Sequence, residues 1–153
     1  MKRLIVQTGK VLKLKESVVR YISDGEMENI DNIVLQMENY IKSKGVHPIG
    51  PLIQCSETVF QDDGSMEMKV SVIRQVDSAI DDIESPYLRR SHIKTNPSLF
   101  VRYIGDEAFI KVAYDKLYVY SYEEEINLSG KTFTVFTGNG NDGFSADIFV
   151  EMK

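Results

Sequence analysis

The chain carries one short pattern twice, and an internal duplication limits the possible folds more strongly than composition does. The segment Val18-Val19-Arg20-Tyr21-Ile22 returns as Phe100-Val101-Arg102-Tyr103-Ile104, and each copy precedes a helical pattern, a glycine turn and a hairpin. A chain of 153 residues suffices for one domain or two small halves. We therefore predict one domain over residues 1–153, with repeats at about 4–76 and 98–153 and a linker at about 77–97.

The spacing of apolar residues supports the duplication independently of the shared letters. One helical face of the first copy carries Ile30, Ile33, Val34, Met37 and Ile41. The same template recurs 80 positions later as Ile110, Ala113, Tyr114, Leu117 and Ser121. Gly130 follows Gly50 by the same 80 positions. The spacing predicts one amphipathic helix in each copy, and Gly45 is the expected end of the first.

Strand patterns surround both predicted helices. Extended segments are expected at residues 4–6, at both copies of the repeated segment, and in one hairpin per copy. In the first hairpin Met66, Met68, Val70 and Val72 alternate with polar residues, which predicts that they face the core. The polar stretch 77–97 is expected to be a connection with a short helical turn near residues 79–83.

Two strand-helix-strand-strand units side by side can join their sheets, whereas one alone would leave sheet edges bare. The predicted fold class is therefore α+β, with two pseudosymmetric β-α-β-β repeats forming a mostly antiparallel sheet. Helices would cover one face of that sheet, and a central groove would lie between the repeats.

Charge and hydropathy exclude several classes of function. A net charge of −5 argues against binding to duplex nucleic acid, which needs clustered Lys and Arg. The basic-then-apolar start breaks at residues 7–10, too early for a signal peptide, and no apolar run is long enough to span a bilayer. The single cysteine, Cys55, excludes an intrachain disulfide. We expect a cytoplasmic protein without nucleic-acid or membrane partners.

Motifs for catalysis or metal binding are weak in this sequence. His47 and His92 lie in separate loops without spaced acidic companions, so no metal site and no cofactor are expected. The glycine-rich run at residues 138–143 lies between two strand patterns and is predicted to be a hairpin turn rather than a phosphate loop. Asp147 and Glu151 share a strand face, which predicts either a carboxylate pair or a solvated acidic edge. The same alternatives apply to Glu57 and Glu67, if the register places them opposite each other.

The order of elements resembles the GyrI-like effector-binding domain family over about residues 4–153. The segments that carry the resemblance are Gly50-Pro51, Arg102-Tyr103-Ile104-Gly105-Asp106, Ala113-Tyr114-Asp115-Lys116-Leu117 and Ala146-Asp147-Ile148-Phe149-Val150-Glu151. The resemblance implies a stand-alone small-molecule sensor, since the chain has no spare length for a helix-turn-helix. Multidrug-binding members place a glutamate in the first strand of the second hairpin. Here Thr134 stands near that position, and the stretch 131–136 offers no acid.

Aromatic residues are the main candidates for ligand contact, because rings with polar tips suit flat organic ligands. The predicted ligand-binding residues are Tyr21, Tyr103, Phe133, Thr134, Phe136, Tyr118 and Phe149. The duplication predicts that Tyr21 and Tyr103 form a pseudosymmetric pair. Phe149 shares a strand face with Asp147 and Glu151, so a ligand, a protein partner or a second subunit is expected to cover that face.

These observations lead to one main hypothesis and two alternatives. The main hypothesis is a non-enzymatic domain that binds a small organic ligand, cationic or aromatic, in the groove between the repeats. The first alternative is a protein-binding accessory module, such as a chaperone or an inhibitor of a larger partner. The second is a hydrolase of small molecules that uses a groove tyrosine and an acid.

Overall fold

The computed structural model describes residues 3–140 and 143–153. In chain order its strands and helices are β1 (Gln7–Lys10), β2 (Lys13–Leu14), β3 (Ser17–Ile22), α1 (Ile30–Ser43), β4 (Pro48–Phe60), β5 (Met66–Val76), β6 (Tyr87–Arg90), β7 (Ile93–Lys94), β8 (Ser98–Gly105), α2 (Lys111–Glu123), β9 (Leu128–Gly140) and β10 (Gly143–Met152). Short 3-10 helices, Asp24–Asn29 and Glu107–Phe109, precede α1 and α2. Antiparallel strands and two helices confirm the predicted α+β class.

The chain divides into two compact units, which we name after the repeats they contain. The first-repeat unit is Lys13–Ile93, and the second-repeat unit combines Met1–Leu12 with Lys94–Lys153. The N-terminal residues belong to the unit of the second repeat. A single domain over residues 1–153 stays a prediction.

The first-repeat unit contains the antiparallel strand order β4-β5-β3-β6 with α1 on one face. Ile33, Met37 and Ile41 of α1 are buried against strand residues that include Val18 and Val72. The expected spacing of the helix is confirmed, because these three residues recur at helical intervals.

Part of the predicted linker is structural. Residues 87–90 form β6 and pair with β3, from Arg20↔Tyr87 to Ser17↔Arg90. The prediction of a helical turn near residues 79–83 is wrong, since that stretch contains only a hydrogen-bonded turn. Ile80 within it is buried in the core below α1. The edge of β3 needs a partner for its backbone groups, and β6 supplies it.

The second-repeat unit contains the antiparallel order β1-β8-β10-β9 with α2 on one face. Its core joins Ala113 and Leu117 of α2 to strand residues that include Val101 and Ile148. The strand expected at residues 4–6 is wrong: β1 begins at Gln7 and pairs with β8, with Gln7 opposite Phe100. Leu4 instead packs its side chain into the core of this unit.

The duplication is visible in the backbone at matched positions. Gly50 and Gly130 both have positive φ, at 70° and 100°. Gly50 lies between Ile49 and Ile53 of β4, a step of four residues that faces a step of only two residues in β5. Gly130 lies between Leu128 and Thr132 of β9, where the same mismatch occurs against β10. The 80-residue offset between these glycines therefore reflects a conserved bulge position in the two hairpins.

Both helices also end in the same conformation. Gly45 follows α1 with φ of 74°, and Glu125, at the matching position after α2, has φ of 55°. The N–H of the next residue bonds back in both cases, Val46 to Ile41 O and Ile126 to Ser121 O. Left-handed backbone suits glycine and strains a residue with a Cβ atom.

The two helix ends generate a reciprocal stability prediction. Glu125→Gly should raise the free energy of unfolding by about 0.5–1 kcal/mol, because glycine relieves the left-handed strain at some cost in backbone entropy. Gly45→Ala should lower it by about 1 kcal/mol, although a Cβ at residue 45 meets nothing within 4 Å. Urea denaturation of the three proteins measures both values. Equal stability of the wild type and Glu125→Gly would contradict the interpretation.

Candidate functional site

A surface cleft of about 730 Å³ lies within the first-repeat unit, where β3 gives way to the 3-10 helix before α1. Its lining includes Tyr21, Asp24, Glu26, Met66 and Met68. The cleft forms because β5 is longer than β3: the last pair between them is Ile22↔Val70, and β5 continues to Met66. Residues 66–69 of β5 therefore have β4 on one side and the cleft on the other.

The methionines of β5 occupy this open part of the strand. Met66 is 68% exposed and Met68 is 58% exposed, so the expectation that they face the core is wrong. The alternation buries residues only nearer the middle of the strand, since Val70 and Val72 contact the core below α1. Exposed, flexible methionines favour a surface that adapts to ligands of varied shape.

An ion pair fixes the wall of the cleft opposite the methionines. The Arg20 guanidinium donates from Nη2 to Glu26 Oε2 at 2.9 Å and from Nη1 to Glu26 Oε1 at 3.2 Å. Ser23 donates its N–H and its hydroxyl to the same Oε1, at 3.0 and 2.9 Å. The hydrogen bonds from Arg20 and then from Ser23 lower the pKa of Glu26 to about 2. Glu26 is thus a structural anion, held by the chain itself.

The remaining charges at the cleft are mostly acidic. Asp24 is exposed at its rim, and Glu67 accepts a hydrogen bond from Gln61 Nε2 at 2.6 Å. Lys69 also lines the cleft and stands opposite Glu57 in the neighbouring strand. Because Arg20 already compensates Glu26, the two other carboxylates outnumber the one lysine, and the cleft has a mildly negative potential.

Tyr21 lies at this cleft, but its predicted partner does not match it. Tyr21 is 46% exposed and Tyr103 is 0% exposed, with the Tyr103 hydroxyl donating to the Asp106 carbonyl. In β3 the residues facing α1 are Val18 and Ile22, and in β8 Tyr103 itself faces α2. The repeated Arg-Tyr-Ile segment is therefore shifted by one residue relative to the sheet face that the helix covers, so Tyr21 and Tyr103 lie on opposite kinds of face. The prediction that they form a pseudosymmetric pair is wrong.

Three other predicted residues lie on the helix side of β9 or on α2. Thr134 shares a hydrogen bond with the hydroxyl of Tyr114, and Tyr118 Oη lies 3.1 Å from Thr132 Oγ1. The ring of Phe136 is 6.1 Å from that of Phe144. Burial raises the pKa of Tyr114. These hydroxyl pairs connect α2 to β9, and the proposed ligand role of Thr134, Phe136 and Tyr118 stays a prediction.

Phe133 and Phe149 lie together on the opposite face of the same unit. They are cross-strand partners in β9 and β10, and Phe149 packs edge-on against Phe100 with ring centroids 5.0 Å apart. Phe133, Phe149 and Phe100 are all buried. A cover over the face of Phe149 was expected from the sequence. Which ligand or partner these rings contact stays a prediction, as does a groove between the repeats.

Asp147 and Glu151 form neither a carboxylate pair nor a solvated acidic edge. Asp147 binds Arg102, with Arg102 Nε 2.8 Å from Asp147 Oδ1. Glu151 is buried and accepts hydrogen bonds from the Asn96 N–H and the Ser129 hydroxyl. Each carboxylate takes its own donors, since a buried anion without them would be costly. Glu57 and Glu67 are not opposite each other either, because Glu67 pairs with Val59.

The other candidate residues have local partners. His47 Nδ1 lies 3.1 Å from Asp77 Oδ2. Within residues 3–140 and 143–153, no group of three His, Cys, Asp or Glu side chains is placed to hold a metal ion.

In the same residues, no helix combines the length and hydropathy needed to cross a membrane. The hairpin turn predicted over residues 138–143 is too long, because residues 138–140 belong to β9 and Gly143 to β10. Asn141 and Asp142 lie outside the described residues.

Sequence reasoning missed most of the cleft. Ser23, Glu26 and Arg20 were not recognised as site residues, although Ser-x-x-Glu before a helical pattern is a known capping signal. The methionines were assigned to the core by alternation alone. Of the predicted ligand-binding residues, Tyr21 lines this cleft, together with Met66, Met68 and Asp24.

The structure thus shows an α+β fold whose first-repeat unit has a cleft lined by Tyr21, Met66 and Met68, and solved structures share this fold. EcmrR in its DNA complex matches with a TM-score of 0.66 and 13% identity, over 97% of this chain and 57% of that one. The separate EcmrR C-terminal domain matches with a TM-score of 0.61, over 97% of this chain and 98% of the domain. This chain therefore spans just over half of the EcmrR chain in that complex.

Two further neighbours have different functional descriptions. SAV2435 bound to tetraphenylphosphonium matches with a TM-score of 0.56 and 10% identity, over 96% of this chain and 94% of that one. A hydrolase encoded by lin2189 from Listeria innocua matches with a TM-score of 0.54 and 10% identity, over 99% and 92%. Identities this low establish the fold alone. No family model matches the chain, and no curated protein matches its sequence.

The Arg20–Glu26 pair generates a pH prediction. The pKa of Glu26 is lowered from 4.5 to about 2, so its stabilising effect is present above pH 4.5 and is lost as the pH falls towards 2. Glu26→Gln should therefore lower the melting temperature at neutral pH, and the difference from the wild type should shrink on acidification. Glu28→Gln in the same 3-10 helix is the control. A difference that is constant with pH would contradict the role of the charge.

The burial of Tyr103 generates a second prediction. Tyr103→Phe removes only the hydroxyl that donates to Asp106 and should cost about 1 kcal/mol of unfolding free energy. Tyr103→Ala empties a fully buried core position and should cost about 3–5 kcal/mol. Guanidinium denaturation separates the two values. A small loss in Tyr103→Ala would show that the ring is not part of the core.

Proposed function

We propose that the chain is a GyrI-like effector-binding domain that binds a small lipophilic cation without catalysis. The observation that carries the proposal is the cleft in the first-repeat unit, which Tyr21, Met66 and Met68 line together with the carboxylates of Asp24 and Glu67. The fold likeness to EcmrR and to SAV2435, which was solved with tetraphenylphosphonium, supports the same class of function.

The chemistry of the cleft favours a cation with an apolar surface. An aromatic ring attracts a cation through its negative face, and methionine side chains adjust to bulky apolar groups. Asp24 and Glu67 add negative potential without belonging to an ion pair among the described residues. A large anion would instead lose hydration beside two carboxylates, which disfavours it.

The glutamate that multidrug-binding family members have in the second hairpin is absent from residues 131–136 of this chain. The cleft in the first-repeat unit has other carboxylates. Thr134 stands near the family position and shares its hydrogen bond with Tyr114. Asp24 and Glu67 would supply the counter-charge from the first-repeat unit instead.

A protein-binding module is the second candidate, and one observation favours it. The tip of the β4–β5 hairpin exposes Phe60 and Met66, which are directly opposite each other. Exposed apolar residues at a hairpin tip are typical of a contact surface for another protein. The hydrolase hypothesis is supported by the fold likeness to the hydrolase from Listeria innocua. The residues predicted for catalysis do not support it, because Tyr103 is buried and both Asp147 and Glu151 are held by other groups.

Calorimetric titration with tetraphenylphosphonium tests the proposal. Tyr21→Ala should weaken binding about tenfold, since the loss of a cation–π contact costs on the order of 1–2 kcal/mol. Asp24→Asn should weaken binding by a smaller factor that decreases with added salt. Phe109→Ala removes an exposed aromatic residue that does not line the cleft, and should leave the affinity unchanged.

Two outcomes would contradict different parts of the proposal. Equal affinity of the wild type, Tyr21→Ala and Asp24→Asn would show that the ligand binds outside this cleft. Absence of binding to tetraphenylphosphonium and to a panel of other lipophilic cations would contradict the proposed function itself. Circular dichroism of each variant excludes unfolding as the cause of a weaker titration.

A further inference from the structure

Helix α2 exposes apolar side chains on the face opposite its core contacts. Val119 is 55% exposed and Tyr122 is 86% exposed, and Val112 is also exposed, whereas Ala113 and Leu117 are buried. A shallow depression of about 300 Å³ runs along this face between Val112, Val119 and Glu123. A surface helix normally carries polar residues on its outer face, so this helix departs from the rule.

The duplicated helix α1 supplies an internal reference. At the positions 80 residues before Val112, Val119 and Tyr122, α1 carries Asn32, Asn39 and Lys42. Both helices bury the same stripe against their own sheets. Leu35 is exposed on α1, but α1 has no apolar side chain at the positions that match Val112, Val119 and Tyr122. Folding of a repeat therefore does not require apolar residues at these three positions, and their presence on α2 needs another cause.

Charged and polar residues border this face on both edges. Lys116 and Glu123 lie on one edge and Asp115 and Tyr122 on the other, each pair seven residues apart. Seven residues correspond to about 10.5 Å along a helix, so Lys116 does not reach Glu123 of the same chain. Neither takes part in an ion pair within the described part of the chain.

We propose that this face binds a second copy of the chain, with the two α2 helices antiparallel about a twofold axis at Val119. In a twofold antiparallel pair, residues on the same edge of the two helices meet. Lys116 of each copy then lies beside Glu123 of the other. Asp115, which Lys111 of the same helix binds at 3.1 Å, lies beside the Tyr122 hydroxyl of the other copy. Val119 packs against its own copy at the axis. The face is thus complementary to itself in both charge and polarity.

The expected dimer is weak. A single pair of short helices buries less than the roughly 1,200 Å² that stable interfaces need. Monomer and dimer should therefore exchange with a dissociation constant on the order of micromolar. The residues of this interface all belong to α2, so the dimer does not use the residues that line the cleft at Tyr21.

Sedimentation equilibrium of the full chain, from about 1 μM to about 1 mM, measures the dimer directly. Val119→Glu places two like charges at the axis and should weaken dimerisation at least about tenfold. Leu35→Glu is the matched control, because Leu35 is a similarly exposed aliphatic residue on α1. A monomer at every concentration, or a dimer that Val119→Glu leaves unchanged, overturns the proposal.

A charge exchange tests the antiparallel arrangement. Lys116→Glu should weaken the dimer by repulsion from Glu123 of the other copy, and Glu123→Lys should weaken it by repulsion from Lys116. The double variant restores opposite charges and should recover most of the affinity. A double variant as weak as the sum of the single changes overturns the reciprocal pairing.

Discussion

Burial of one apolar helix stripe against each sheet is the constraint on which the rest of the structure depends. Ile33, Met37 and Ile41 satisfy it in the first-repeat unit, and Ala113, Leu117 and Ser121 occupy the matching positions in the second. Because strand side chains alternate between two faces, covering one face with a helix decides the environment of every residue in the strands beneath. A shift of one residue then separates two identical side chains, as it does Tyr21 and Tyr103.

The candidate site lies where that coverage ends. β3 stops at Ile22 while β5 extends to Met66, so residues 66–69 of the hairpin have one edge that β3 does not cover. Arg20 and Glu26 hold the chain where it leaves the sheet. The cleft is thus a consequence of unequal strand lengths in the first repeat, and its methionines are exposed because they lie beyond the core.

Local patterns predicted the local features well. Both helices, both hairpins and the glycines at residues 50 and 130 follow from periodicity, turn chemistry and the 80-residue offset. Long-range pairing was not predictable in the same way. The partner of β1 and the role of β6 depend on backbone groups far apart in sequence, and several strand edges could have received them. The separate donors of Asp147 and Glu151 also come from distant residues, namely Arg102, Asn96 and Ser129.

The sequence by itself determined the repeat, the helix faces and the positions of the glycines at the end of α1 and in the two bulges, because each depends on local patterns of residue type. The tertiary structure alone decided which face of β8 carries Tyr103, where β5 extends beyond its neighbour, and which acids receive donors. Those outcomes depend on strand register and relative strand length, which change the surroundings of a side chain without changing its local pattern. The two repeats share the same helix and hairpin arrangement. They differ in that the first exposes methionines on β5 and the second exposes apolar residues on the outer face of α2.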